Sequence, residues 1–120
     1  MIFNFTDHTC LYFFREPVDI RKGIHSLYHL VQTSGNMDAL NGDGYVFIGR
    51  TRKSIKVLRW QKEGFVLYNK KLELGCYTLP QQLSEGAFFE LERDILDQMV
   101  NAIKHKSSSN ELRLKAQLTL

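Results

Sequence analysis

Three runs of residues decide the fold: Tyr45-Val46-Phe47-Ile48, Ile55-Lys56-Val57-Leu58-Arg59-Trp60 and Phe65-Val66-Leu67-Tyr68. Each is short, rich in β-branched and aromatic side chains, and bounded by turn-forming residues, the pattern of β-strands. Gln61-Lys62-Glu63-Gly64 joins the second run to the third as a hairpin, with Gly64 available for a positive φ. The third run extends to Leu72. Leu74-Gly75 then supplies another turn before Cys76-Tyr77-Thr78-Leu79, a further strand that Pro80 ends. Parallel neighbours need a crossover of about a dozen residues or more. Connections this short therefore predict an antiparallel β-meander.

Working outward, Cys10-Leu11-Tyr12-Phe13-Phe14 reads as a short buried strand closed by Arg15-Glu16-Pro17. Asp19 is placed to cap a helix, since its carboxylate can accept from first-turn N–H groups. Ile20, Ile24, Leu27 and Val31 then form one apolar helical stripe. Gly35 is positioned to stop that helix in a left-handed conformation, and residues 35–44 form a loop rich in Gly, Asn and Asp. Beyond the sheet, Phe88, Leu91, Ile95, Met99 and Ile103 predict a second amphipathic helix starting near Ser84. Ser107-Ser108-Ser109-Asn110 is a linker. In the tail that follows, Leu112, Leu114, Ala116 and Leu118 alternate with polar residues, which fits an added strand and equally a segment that orders only against a partner. The expectation is α+β: one domain over residues 1–106, with four to five antiparallel strands and two amphipathic helices, followed by a linker and tail over 107–120.

A chain of 120 residues has room for one hydrophobic core. A hydrophobic content of 43% with 24% charged residues is that of an ordinary globular protein. The apolar runs are only a few residues long, too short to span a bilayer, and the first residues lack the basic and apolar regions of a signal peptide. Cys10 and Cys76 have no CxxC spacing and read as reduced packing residues. The expected compartment is the cytoplasm.

The charge is unevenly placed. Residues 44–75 carry eight bases (Arg50, Arg52, Lys53, Lys56, Arg59, Lys62, Lys70 and Lys71) and two acids (Glu63 and Glu73), a net +6 in a chain whose total is +3. Arg50-Thr51-Arg52-Lys53 sets three cations at a connection between strands. Such a window fits a surface for a polyanion, and it also fits a solvated lysine-rich sheet face that discourages edge pairing.

No catalytic set is visible. Asn41-Gly42-Asp43-Gly44 lacks the Lys-Ser/Thr of a phosphate-binding loop and precedes a strand instead of a helix. A metal-dependent nuclease needs clustered carboxylates, whereas the basic window holds only Glu63 and Glu73, both in turns. His25 and His29 share a helix face at metal-ligand spacing, but two ligands without a third make a polar face rather than a site. Trp60, Tyr45, Phe47, Phe65, Tyr68 and Tyr77 have the spacing of core aromatics more than of a base-stacking platform. Neither cofactor nor metal is expected.

Motif spacing carries a resemblance. Asp19-Ile20-Arg21-Lys22-Gly23-Ile24 with Leu27 and Val31 is one part of it. The other is Tyr45-Val46-Phe47, Arg50, Arg52, Ile55-Lys56-Val57-Leu58, Trp60, Gly64-Phe65, Leu67-Tyr68, Lys70-Lys71-Leu72-Glu73, Gly75, Tyr77 and Pro80. Together they resemble the accessory protein TnpB, the second reading frame of IS66-family insertion sequences, over residues 10–80. The chain departs from that pattern at Thr51, where a third base is usual, and at Lys53-Ser54, where an acid followed by a base is usual. The resemblance implies a non-catalytic accessory factor of DNA transposition, with DNA or the element's transposase as partner; the short apolar runs already predict no membrane association. On this reading the DNA-contacting residues are Arg21, Lys22, Arg50, Arg52, Lys53, Lys56, Arg59, Lys70 and Lys71. The alternative is an adaptor that docks on the transposase without touching DNA.

Overall fold

A computed structural model describes residues 9–35, 37–81 and 85–101. The three runs form the expected meander: β2 (Gly44–Ile48), β3 (Ser54–Gln61) and β4 (Gly64–Lys71), antiparallel throughout. Val46 faces Val57, and Val57 faces Tyr68, so the apolar positions fall in register. Lys62 and Glu63 make the β3–β4 turn with φ 51° and 64°. Two successive left-handed residues match the right-handed twist of the strands they join. Gly64 does not supply the positive φ: it is the first residue of β4 and pairs with Gln61.

The remaining strands join differently. β1 (Leu11–Phe14) lies beside β2 in parallel, after a crossover through α1 (Ile24–Ser34), and β5 (Phe88–Leu91) pairs antiparallel with β1. The sheet order is β4-β3-β2-β1-β5. The expected α+β class is present, with five strands and two α-helices among the described residues, and the sheet is mixed because β1 sits inside it. An interior strand covered on both faces reads as an unbroken apolar run, which explains residues 10–14.

α2 (Arg93–Asn101) starts later than the Phe88/Leu91 spacing predicted. Phe88 and Leu91 belong to β5, where Phe89 and Leu91 point into one core and Phe88 into the other. The 76–79 segment is not one of the five strands. After Gly75 (φ 77°) the chain folds back over the sheet, and Leu72 and Tyr77 enter the core while their N–H groups donate to the carbonyls of Lys53 and Arg52, both at 2.7 Å. The linker and tail over 107–120, with Ile103, lie outside the described residues.

α1 also begins after its expected start. Asp19 turns its carboxylate onto the Arg21 N–H (2.9 Å) and closes a local turn, so the helix starts at Ile24 behind Gly23 with no side-chain cap. Gly35 follows the helix in a right-handed conformation (φ −94°). Close approach requires glycine there: an added Cβ would stand 2.7 Å from both Met37 and Phe88 side-chain atoms.

Each face of the sheet carries its own core. Leu27 and Val31 of α1 pack on Tyr45, Phe47 and Leu58, whereas Leu96, Met99 and Val100 of α2 pack on Val46, Ile48, Ile55 and Val57. Burial of each such side chain stabilises the fold by about 1.5–3 kcal/mol. Alternation along β2 and β3 thus feeds two layers of helix through one layer of sheet.

Candidate functional site

The topology sorts the charges by end of the sheet. β1, β2 and β4 finish, and β3 starts, at one end. Arg15 follows β1 there, Arg50 and Arg52 follow β2, and Lys70 and Lys71 close β4. Lys22 adjoins through the loop before α1, which is tied to β3 by Lys56. α1 begins beside this end, and the partial positive charge of its N-terminus adds to the field. The acids there are Glu16, Asp19, Glu73 and Glu85. At the opposite end Asp43, Glu63, Glu92 and Asp94 outnumber Arg59, Lys62 and Arg93. What the sequence presents as a basic sheet is a basic end.

Not every base at that end, or along the strands, is available. Lys56 is 7% exposed, and its Nζ donates to the carbonyl oxygens of Ile20 (2.6 Å) and Lys22 (2.8 Å). A buried ammonium is tolerated because those bonds replace water. Lys53 Nζ donates to Gly75 O at 3.0 Å, bracing the turn after β4. Arg59 lies toward the other end, with its Nε on Gly42 O at 3.1 Å. Arg21 is exposed and clamps Asp19, its Nε and Nη2 reaching both carboxylate oxygens with a shortest contact of 2.6 Å. Hydrogen bonds from Arg21 hold the Asp19 carboxyl well below the usual carboxylate range.

Arg50, Arg52 and Lys71 are exposed, and Lys22 and Lys70 are partly exposed. Arg50 and Arg52 sit on a loop held from both sides. Gly49 N–H donates to Ser54 O at 3.0 Å, Arg52 N–H to Gly49 O at 2.9 Å, and Arg52 O accepts from Tyr77 N–H at 2.7 Å. Arg52 has φ 63°, a left-handed position after a turn where hairpin loops favour glycine. These residues join Arg15, Glu16, Phe14, Pro17, Ile48, Gly49 and Leu79 around a pocket of 110 Å³ between the C-terminal ends of β1 and β2. Crevices outside the carboxyl ends of parallel strands are a recurrent ligand position.

Arg15 lines the same pocket and lies outside the set of bases that the sequence singles out. Its guanidinium lies 4.9 Å above the Phe89 ring, and its Nε donates to Gly86 O at 2.9 Å. Only the parallel pairing of β1 with β2 brings it beside Arg50, and no local pattern announces that pairing. His25 and His29 are exposed on α1, and among the described residues no group of three metal-ligating side chains converges. Of the aromatics, Tyr45, Phe47 and Tyr77 are fully buried; Trp60 packs edge-on against Phe65 at 5.0 Å, and Phe65 against Tyr28 at 5.1 Å.

Among the described residues no helix is long and apolar enough to cross a membrane. No solved structure matches the chain. An uncharacterized protein of Sinorhizobium fredii (strain NBRC 101917 / NGR234), y4jC, is 32% identical over 72 residues, which are 60% of this chain and 61% of that protein. The chain thus spans about three fifths of that relative's length. The family model described as IS66 Orf2 like protein (TnpB_IS66) matches residues 9–110, the meander and the arginine-bearing loop included, and the chain therefore belongs to the IS66 Orf2-like family.

Proposed function

We propose that the chain serves IS66 transposition as a non-catalytic DNA-binding factor in the cytoplasm, with the basic end of the sheet lying on the phosphate backbone. The observation that carries this reading is the uneven balance of charge: Arg50, Arg52, Lys22, Lys70 and Lys71 share one end, where bases outnumber acids, while at the other end acids outnumber bases. Lys53, Lys56, Arg59 and Arg21 leave the contact set, because each has its side chain committed to a carbonyl or carboxylate within the protein. Such an end orients the molecule on a polyanion and speeds its approach.

The test is fluorescence anisotropy of the full chain with a duplex carrying the element's terminal repeats and with a random duplex. For five phosphate contacts, affinity falls roughly 10²–10³-fold between about 50 and 200 mM salt. Absence of binding to either duplex at low salt overturns the reading. Co-purification with the transposase in the absence of DNA, combined with that result, identifies an adaptor instead.

A further inference from the structure

We propose that the pocket between the ends of β1 and β2 takes a phosphate monoester, the terminal phosphate of a nucleic-acid strand. The proposal rests on the DNA-binding reading above and specifies one site within it. Three arginines line the pocket against one carboxylate, Glu16: Arg50 and Arg52, and Arg15, which supplies charge to the wall while its Nε is held by Gly86 O. The lining charge is thus +2. Asp19 lies near Arg50 but is clamped by Arg21.

An internal phosphodiester carries a single negative charge and must leave the pocket by two sugar linkages. A terminal monoester carries about −1.5 to −2 at neutral pH and leaves by one. The terminal group matches the lining in charge, and 110 Å³ gives it room where a base pair has none. Buried Phe14 and Ile48 supply low-dielectric walls, which strengthen ion pairing at the site.

A second observation concerns the backbone of one lining residue. Arg52 holds a left-handed conformation (φ 63°) that a bulky residue adopts at a cost. Strain of this kind clusters at ligand clamps and persists where the surroundings over-determine it. Here the loop is pinned by Gly49 and Tyr77 through the backbone of Arg52 itself. A glycine would serve the turn better, and only the guanidinium distinguishes what is present.

The experiment compares duplexes of one sequence, 3′-labelled, with and without a 5′-phosphate, at fixed salt. The proposal expects the phosphorylated end to bind at least about fivefold more tightly. It expects Arg52→Gly and Arg50→Gln each to remove that preference, with a Tm for Arg52→Gly no lower than that of the parent. Lys62→Gln, at the opposite end of the sheet, should keep the preference. Equal affinity for the two duplexes overturns the proposal, even where both bind strongly and the DNA-binding reading stands. Loss of all binding overturns both. A phosphotyrosine peptide that competes as well as the phosphorylated oligonucleotide overturns the assignment to nucleic acid, and a mononucleotide that competes as well as the oligonucleotide overturns the requirement for a strand.

Discussion

The ammonium of Lys56, on the third residue of β3, donates to the carbonyl oxygen of Ile20 at 2.6 Å and so ties the sheet to the loop that launches α1. A lysine in the middle of the most basic stretch is therefore a structural clamp. Lys56→Met keeps much of the apolar stem and deletes the charge-assisted bonds, leaving the carbonyls of Ile20 and Lys22 without that donor. The expected loss is about 2 kcal/mol, or roughly 8 °C in Tm for a domain of this size. Thermal unfolding followed by circular dichroism measures it. A Tm within a degree or two of the parent contradicts the clamp.

Arg52→Gly moves stability the other way. With φ 63°, glycine occupies the position without a Cβ penalty. The variant should be more stable by about 0.5–1 kcal/mol while binding DNA more weakly. Chemical denaturation and anisotropy read the two effects separately. A variant that is less stable shows the arginine side chain to hold the loop.

The β3–β4 turn carries strain of the same kind. Lys62 and Glu63 are both left-handed, and Asn-Gly is the pair that such a turn favours. Replacing them with Lys62→Asn and Glu63→Gly should stabilise the protein by about 1 kcal/mol. The shift in urea midpoint at constant m-value checks this.

How much of this was legible follows from where each signal lies. The β2–β4 meander announces itself because alternation, register and a two-residue turn are local. β1 and β5 join the sheet by non-local pairing, which leaves no periodic trace. In β5 the Phe88/Leu91 spacing happens to match a helix as well as a strand. Charge clustering singled out Arg50 and Arg52, which the fold places together at one end of the sheet. It could not separate them from Lys56 or Lys53, because which face a β-residue presents becomes known only once both sheet faces are seen to be covered. The placement of Arg15 beside Arg50 depends on the parallel β1–β2 pair and stayed hidden with it.

Two buried tyrosines set an alkaline limit. Burial pushes Tyr45 and Tyr77 up to about 12 from 10.0. Below pH 10 both states keep these phenols neutral, and stability does not depend on them. Between about 10 and 12 the unfolded chain ionises first, so stability falls as pH rises through that window. Among the described residues the Tyr77 hydroxyl has no hydrogen-bond partner. Tyr77→Phe should therefore be neutral or stabilising by up to about 1 kcal/mol at pH 7, with a shallower alkaline decline. Denaturant midpoints across pH 7–12 measure both, and a clearly destabilised Tyr77→Phe contradicts the unpartnered hydroxyl.

The central claim is that DNA meets one end of the sheet. Its most direct measurement is the slope of log affinity against log salt for the parent, for Arg50→Gln with Arg52→Gln, and for Lys62→Gln with Arg93→Gln at the opposite end. Each lost phosphate contact reduces the slope by about 0.9. The account predicts a reduction of about 2 for the first pair and none for the second. Equal reductions for both pairs, or none for either, would contradict it.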